Sequence, residues 1–473
     1  MNKSTLALAV AVGVMAQQAG AAGFIEDSKA TLGLRNFYIN NDNRDSAANS
    51  PASKRNGVQS KNEEWGQGFD LRFISGYTQG TVGFGIDAIG LLGVRLDSGG
   101  GTNGASGKTA TNYGSYGGTV FPSKSNGEAV DNYSSLGLTA KAKISQTELK
   151  LGTLQPKLPV IVTNDGRLLP QTFQGGQITS GDIKDLTLVA GQIEKAKGRN
   201  SSNVENLSIA GANGRTASGR DSNKFYYAGG DYKITKDLTA QYYYGNLDQF
   251  YKQHFLGLLH NWAIGPGVLK TDLRYFNSRA DGNNSNDANY FTSGDYGTNA
   301  AGNNITKGKV DNNLYSGLFL YSVAGHTFGG GYQVSNGDSD FPWLNQGDGS
   351  SAYLTTDSQI SKFARAGERT WQARYAYDFA KIGVPGLTAG VVYLRGDNID
   401  TRGAVGATTP QRTVNSNGAN EWERDITVAY VVPEGPLKNV GVAWKNAMWR
   451  NDIAGQRNQD ENRLIVSYSL PLF

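Results

Sequence analysis

Apolar and polar residues alternate in short segments along most of the chain. In the clearest segment, residues 136–145, leucine, alanine and isoleucine occupy one set of alternate positions, and glycine, threonine, lysine and serine occupy the other. The last segment, residues 463–473, repeats the pattern, because Leu464, Val466 and Leu470 share a face that is opposite to Arg463. A period of two is the signature of a β-strand. Each strand must therefore bury its apolar face in a protein core or in lipid.

This pattern predicts about eighteen strands. Their expected ranges are 31–40, 68–77, 81–94, 136–145, 148–151, 176–180, 186–194, 224–234, 238–246, 250–262, 268–277, 311–322, 326–335, 371–379, 387–396, 422–432, 439–450 and 463–473. Long polar connections and short turns mostly alternate between them, and the short connection near Asp248-Gln249 is the exception. Long loops at one end and tight turns at the other are typical of bacterial outer-membrane barrels.

We therefore predict an all-β fold, a transmembrane antiparallel β-barrel of about 18 strands. A large soluble β-sandwich or β-propeller uses the same period and is the alternative. Three observations favour the barrel: no repeat of blade length is visible, the apolar faces are too numerous for one sandwich core, and aromatic residues fit girdles at the strand ends. The expected girdle residues are Phe37, Tyr38, Tyr77, Trp262, Tyr275, Trp371, Trp422, Trp444 and Trp449.

Residues 1–21 are predicted to be a signal peptide, and residues 22–473 to form the barrel. Lys3 supplies the positive charge, residues 6–16 are apolar, and Ala19-Gly20-Ala21 is a small-residue cleavage site. The apolar stretch is too short to span a bilayer as a helix. The mature chain is therefore expected to be exported and to reside in the bacterial outer membrane, in contact with lipid and lipopolysaccharide.

Composition excludes several classes of function. The chain has no cysteine, which rules out disulfides and thiolate chemistry. Its formal net charge is only +4 and it has no basic run with interleaved aromatic residues, so nucleic-acid binding is not expected. Three isolated histidines, His254, His260 and His326, favour neither a metal site nor a catalytic triad. We expect no cofactor and no enzymatic activity; a barrel lipase or protease and a non-channel adhesin are weaker alternatives.

Basic residues recur on the polar faces of the predicted strands. A charged residue that faces lipid costs about 2–4 kcal/mol near the middle of the membrane, so we assign these residues to the lumen. A lumen lined with lysine and arginine attracts carboxylates and other anions. The residues so assigned to the substrate pathway are Arg35, Arg72, Lys141, Arg374, Lys445 and Arg463. The alternative is that they only hold the lumen together by pairing with Asp70, Asp87, Glu148 and Asp425.

The connection 154–175 is too apolar and too rich in proline for an exposed loop. Three prolines at positions 156, 159 and 170 remove backbone donors and stiffen it. Such a loop is best buried by folding inward, where it would narrow the pore. Asp165 and Arg167 would then reach the constriction. The alternative is an external loop that packs on its neighbours.

The sequence resembles the OprD/Occ family of substrate-specific outer-membrane porins of pseudomonads. The matching stretches cover nearly the whole mature chain and include Gly23-Phe-Ile-Glu-Asp-Ser28, Leu34-Arg-Asn-Phe-Tyr38, Tyr77-Thr-Gln-Gly-Thr-Val-Gly-Phe-Gly85, Arg167-Leu-Leu-Pro-Gln-Thr172, Trp371-Gln-Ala-Arg-Tyr375, Gly383-Val-Pro-Gly-Leu387 and Arg463-Leu-Ile-Val466. The resemblance implies an eighteen-stranded barrel with inward-folded constriction loops and a ladder of basic residues that guides a substrate carboxylate. Arg463 matches a ladder arginine and Lys445 replaces another, whereas Ala443 and Ala429 interrupt the ladder.

The resemblance also bears on the substrate. The family's prototype takes basic amino acids and holds the substrate amine with an acidic constriction residue, but the matched position here is Lys362. A lysine there would repel a cationic amine, so the chain looks closer to the carboxylate-transporting, OccK-like branch. We therefore expect passive uptake of small aromatic or other monoanionic carboxylates. A channel for basic amino acids or small peptides, with Asp165 reading the amine, stays open, as do a monomer and a loose trimer.

Overall fold

The chain forms one closed, antiparallel β-barrel of 18 strands in a computed structural model. The structure describes residues 23–44, 60–98, 118–125, 128–209, 221–287, 290, 308–345, 351–401, 418–453 and 456–473. The proposed signal peptide lies outside these residues. The barrel strands are β1 Lys29–Asn43, β2 Lys61–Ile74, β3 Gly83–Asp97, β4 Asn132–Ile144, β5 Thr147–Leu154, β6 Thr172–Ser180, β7 Leu186–Lys197, β8 Phe225–Lys233, β9 Leu238–Leu247, β10 Tyr251–Ile264, β11 Gly267–Ala280, β12 Asp311–Val323, β13 His326–Asn336, β14 Arg369–Asp378, β15 Leu387–Ile399, β16 Ala419–Val431, β17 Gly441–Asn451 and β18 Gln459–Pro471.

Each strand pairs with its neighbours in sequence, and β18 closes the barrel on β1, with Leu464 opposite Tyr38. The turns 145–146, 265–266 and 324–325 lie at the end of the barrel where β1 begins and β18 ends. The long connections lie at the other end, as predicted, and 248–250 is the short one among them. Closure pairs every strand edge, which a lipid environment requires. No helix among the described residues is long and apolar enough to cross a membrane.

The outer face of the barrel is apolar. Leu136 is 66% exposed and Phe84 is 58% exposed, values that suit contact with lipid rather than with water. Among the predicted girdle residues, Trp262, Trp371 and Trp444 do lie on this face. The remaining outward aromatic side chains include Tyr232, Tyr242, Tyr315 and Tyr332.

Three of the predicted girdle residues were assigned to the wrong face. The hydroxyl of Tyr77 donates to Glu148 and the ammonium group of Lys141 lies over its ring, so Tyr77 is on the lumen side. Phe37 is fully buried and packs with Phe121 and Leu168, and Trp449 is 4% exposed with its indole N–H donated to Glu421. Both face inward, because the lumen wall carries apolar side chains wherever a loop covers it. The alternation of a strand indicates which residues share a face, but it does not indicate which face meets lipid when both are apolar.

The strands extend further than their apolar patterns suggested. β2 begins at Lys61 rather than near residue 68, because its polar end continues to pair with β1 beyond the apolar band. At the other end, the strand pattern of β18 stops at Pro471. Phe473 therefore leaves the strand register, and its ring meets that of Phe73 at 6.5 Å between centroids.

The third long connection, loop L3 (residues 155–171), lies inside the barrel. It joins β5 to β6, yet its Leu168 and Leu169 pack with Phe37 on β1 and Leu91 on β3. Its Val160 and Ile161 join a second buried cluster, which includes Phe225, Phe255 and Phe276 of the lumen wall. Burial at two sites accounts for the apolar composition of L3, since an exposed loop would gain nothing from it.

Two inward-facing glycines on β2, Gly66 and Gly68, leave space for Leu168 of L3. A Cβ atom at Gly68 would lie 2.9 Å from the carbonyl oxygen of Leu168 and 3.1 Å from its Cδ1. We expect Gly68→Ala to displace L3 and to lower the free energy of unfolding by about 1–3 kcal/mol, the usual cost of overpacking. Urea unfolding of the purified barrel measures this. Gly33→Ala is the matched control, because its Cβ would meet Asp70 at an ordinary 3.5 Å; equal losses in the two variants would contradict the assignment.

Candidate pore constriction

Arg35 anchors the tip of L3 to the wall at β1. Its guanidinium binds both carboxylate oxygens of Asp165, at 2.7 and 3.2 Å, and donates to the carbonyl oxygen of Arg167 at 2.6 Å. A residue of β1 thus fixes the position of L3, although L3 connects β5 to β6. A two-pronged arginine–carboxylate pair of this kind is stronger and more directional than a single ion pair. Asp165 is therefore engaged in holding the loop.

Arg463 on β18 links L3 to loop L7 (residues 337–368), the seventh of the long connections. Its Nη1 donates to the carbonyl oxygen of Gly166 in L3 at 3.2 Å, and its Nη2 donates to that of Gln359 in L7 at 3.1 Å. Its Nε binds Glu461 at 2.6 Å. Arg463 therefore stands where the two inward loops approach each other.

A second arginine, Arg199, lies beside Gly166 together with Arg463. The position of a Cβ on Gly166 lies 3.3 Å from Nη1 of Arg199 and 3.9 Å from Nη1 of Arg463. Arg199 follows β7, donates to the side chain of Asn164 at 2.9 Å, and is 5% exposed. Burial lowers the pKa of Arg199, and the positive charges of Arg167 and Arg463 lower it further. An anion placed beside this cluster would offset that repulsion.

Lys445 on β17 is a half-buried cation near this cluster. It is paired in register with Arg463 on β18 and with Thr427 on β16. Its ammonium group forms no ion pair or hydrogen bond with a side chain or carbonyl group in the parts of the chain that the structure describes. A half-buried lysine of this kind keeps its full donor capacity for a passing solute.

The other predicted pathway residues are engaged in contacts of their own. Lys362 binds Asp357 at 2.8 Å and lies over the ring of Trp343, so it is held within L7. Arg374 donates to Gln372 at 2.7 Å and to the carbonyl oxygen of Thr355 in L7. These two contacts favour the alternative reading of the basic residues, in which pairing holds the lumen together.

The guanidinium of Arg167 donates to the carbonyl oxygen of Thr119. The last two predicted residues lie toward the short-turn end of the barrel. Arg72 binds Asp70 at 2.8 Å and is 40% exposed. Lys141 is only 3% exposed and is enclosed by Asp87 at 2.6 Å and the carbonyl oxygen of Ser75 at 2.7 Å. Lys141 is thus a poor contact for solutes, whereas Arg72 stays within reach of the lumen.

Sequence reasoning did not find Arg199 or Gln359. Both lie in loops, where no alternation assigns a face, and both reach the constriction only through contacts with L3 or Arg463.

Two of the histidines pair with tyrosine hydroxyl groups. His254 meets the hydroxyl of Tyr242 at 3.0 Å, and His326 meets that of Tyr375 at 2.9 Å. Within the described ranges, no group of three or more histidine, aspartate or glutamate residues is arranged to hold a metal ion.

Comparison with known proteins agrees with this architecture. A family model described as outer membrane porin, OprD family, matches residues 22–472. The crystal structure of OccK8 (OprE) from Pseudomonas aeruginosa is 59% identical, with a TM-score of 0.81 over 96% of this chain and 100% of that chain. That of OpdK with vanillate, also from P. aeruginosa, is 35% identical, with a TM-score of 0.76 over 95% and 100%.

The porin-like protein GalP of Pseudomonas putida is 34% identical over 456 residues, which span 96% of this chain and 95% of the relative. Family, fold and coverage all agree, and the family consists of passive outer-membrane channels rather than enzymes. The chain therefore belongs to the OprD family of outer-membrane porins, and it is similar to the OccK proteins among them.

Proposed function

We propose that this porin takes up small monocarboxylates, aromatic acids among them, and that lumenal arginine and lysine side chains guide the carboxylate. The single observation that carries the proposal is the placement of the Arg199 and Arg463 guanidinium groups beside Gly166, with the charge of Arg167 close enough to repel both and with Lys445 paired in register with Arg463. Cationic groups in a narrow, partly desolvated lumen attract anions far more strongly than the same groups in water.

The carboxylates near this cluster do not favour a cationic solute. Asp165 is held by Arg35 through two hydrogen bonds, and Glu461 is held by Arg463 at 2.6 Å. A channel for basic amino acids needs a free acid to bind the substrate amine, and neither residue offers one. Lys362, whose charge suggested the same conclusion, supports it less than expected because Asp357 neutralises it.

The vanillate complex of OpdK supports the aromatic part of the proposal. Vanillate is an aromatic monocarboxylate, and OpdK shares 35% of its sequence with this chain over its whole length. A solute of this kind would present its carboxylate to Lys445 and Arg463 while its ring meets the uncharged part of the lumen. The pathway proposed here therefore comprises Arg463, Lys445, Arg167 and Arg35 at the constriction, and Arg72 toward the short-turn end.

Liposome swelling tests the proposal. Purified porin in liposomes at pH 7.5 should admit benzoate and vanillate faster than arginine, because the first two carry one negative charge. Faster entry of arginine, with little entry of benzoate, would support the channel for basic amino acids instead.

Replacement of Lys445 by glutamine tests the charge alone. The side chain has no partner among the described residues, so we expect the barrel to keep its stability while benzoate entry falls about three-fold to ten-fold, as the loss of about 1 kcal/mol of attraction predicts. Lys143→Gln is the matched control, since Lys143 lies beside the turn 145–146, far along the strand from the constriction. Equal benzoate rates in the Lys445 variant and the native protein would remove Lys445 from the pathway.

A further inference from the structure

Wall carboxylates bind the backbone of loop L7 directly. The backbone N–H groups of Ile360 and Ser361 donate to the two oxygens of Glu423, at 2.8 and 2.7 Å. The N–H of Gln359 donates to Asp425 at 3.2 Å. Three successive backbone donors of L7 thus meet two carboxylates of β16, and no side chain of the loop is needed for these bonds.

Two more wall carboxylates extend the contact. The hydroxyl of Ser361 donates to Glu421 at 2.7 Å, and the side-chain amide of Gln359 donates to Glu461 at 2.9 Å. Glu421 and Glu423 are both buried, with exposures of 1% and 0%. Since buried acids need partners, Glu423 is well placed only if L7 supplies its donors, whereas Glu421 also accepts the indole N–H of Trp449.

We propose that the column Glu421, Glu423 and Asp425 pins residues 359–361 of L7 against β16 and so keeps this segment from moving further into the lumen. The three residues are positioning residues, since they act on the pore through the loop. The barrel wall blocks any outward movement of residues 359–361. If these residues were not pinned, their thermal motion would therefore carry them into the pore. The proposal concerns the aperture and does not depend on the carboxylate substrate.

Glu423 is the residue on which the column depends most. Each of its oxygens accepts one N–H group, so both must be acceptors. Glutamine has the same shape but only one acceptor oxygen, and its NH₂ group would face a backbone N–H. Glu423→Gln therefore sets two donors against each other without changing the volume of the side chain. Loss of a buried hydrogen bond of this kind shifts a two-state equilibrium by about ten-fold.

The test uses planar bilayers and liposome swelling with neutral sugars, whose entry reports aperture rather than charge. In E423Q we expect the fraction of time in reduced-conductance states to rise about ten-fold and the swelling rate with arabinose and glucose to fall. Glu148→Gln is the matched control, because it removes the same charge from the lumen side at the far end, where Glu148 pairs with Lys150. It should leave sugar entry unchanged.

The migration of unheated protein on a denaturing gel shows whether each variant is a folded barrel. If E423Q does not fold, Ser361→Ala tests the same contact more mildly, because it removes the hydrogen bond to Glu421 and, besides that, only a long contact of 3.5 Å from the N–H of Phe363. Current traces and sugar rates identical to those of the native protein would overturn the proposal. So would faster entry of the larger sugars, since that result would mean that the released loop leaves the lumen.

Discussion

Replacement of Arg463 by glutamine is expected to lower benzoate entry by ten-fold or more. Arg463 supplies a positive charge where L3 and L7 meet, and a charge at contact distance is worth about 1–4 kcal/mol between water and partly desolvated protein. The variant also removes the ion-pair partner of Glu461, which then keeps only its hydrogen bond from Gln359, so the negative charge of Glu461 is no longer neutralised. Both changes act against an anion. Swelling rates with benzoate and arginine, measured on the same liposomes, report the change.

Arg463 also touches both loops, so charge and position must be separated. Arg463→Lys keeps the charge but cannot donate to Gly166, Gln359 and Glu461 with the geometry of a guanidinium. If attraction is the main effect, the lysine variant keeps most of the benzoate rate and the glutamine variant loses it. If loop position is the main effect, the two variants fall together, and neutral sugars change in both. Unchanged benzoate entry in R463Q would exclude Arg463 from the pathway.

Replacement of Arg35 by glutamine is expected to shift the channel toward cations. The change frees the carboxylate of Asp165 from both of its hydrogen bonds to Arg35, and that side chain is already 46% exposed. A free acid at the tip of L3 is the feature that a channel for basic amino acids requires. We expect the ratio of arginine to benzoate entry to rise about ten-fold, as a net change of one charge near the constriction predicts.

The double variant Arg35→Gln with Asp165→Asn isolates this effect. It removes both charges, so the arginine preference of the single variant should disappear if Asp165 is its source. A preference that persists in the double variant would mean that L3 has moved and exposed another acid. The single variant Asp165→Asn completes the cycle, and its coupling to Arg35 measures the pair directly.

Much of the fold followed from the alternation of residues, because a period of two and the lengths of the connections are local properties. The eighteen strands, the positions of the short turns and the inward direction of Arg463 are of this kind. The burial of Lys141, in contrast, is not a local property of the sequence. The parity of Lys141 placed it correctly on an inward face, but only the three-dimensional structure shows that Asp87 and Ser75 enclose it.

The contacts of the loops were less predictable. The prolines and apolar residues of L3 indicated burial, yet the partner of Asp165 could not be read from them, since Arg35 is 130 residues away in sequence. The column of acids on β16 is visible in the sequence as alternate acidic positions. The role of this column could not be predicted from the sequence. The donors to Glu423 are backbone N–H groups, which every residue except proline carries.

The most direct test of the central claim compares three sugars of nearly equal size that differ in charge. Gluconate, glucose and glucosamine are anionic, neutral and cationic at pH 6.5, and none of them crosses a bilayer unaided. A lumen in which Arg463, Lys445 and their neighbours attract carboxylates should admit gluconate fastest and glucosamine slowest in liposome swelling. Fastest entry of glucosamine, or equal rates for all three, would contradict the account.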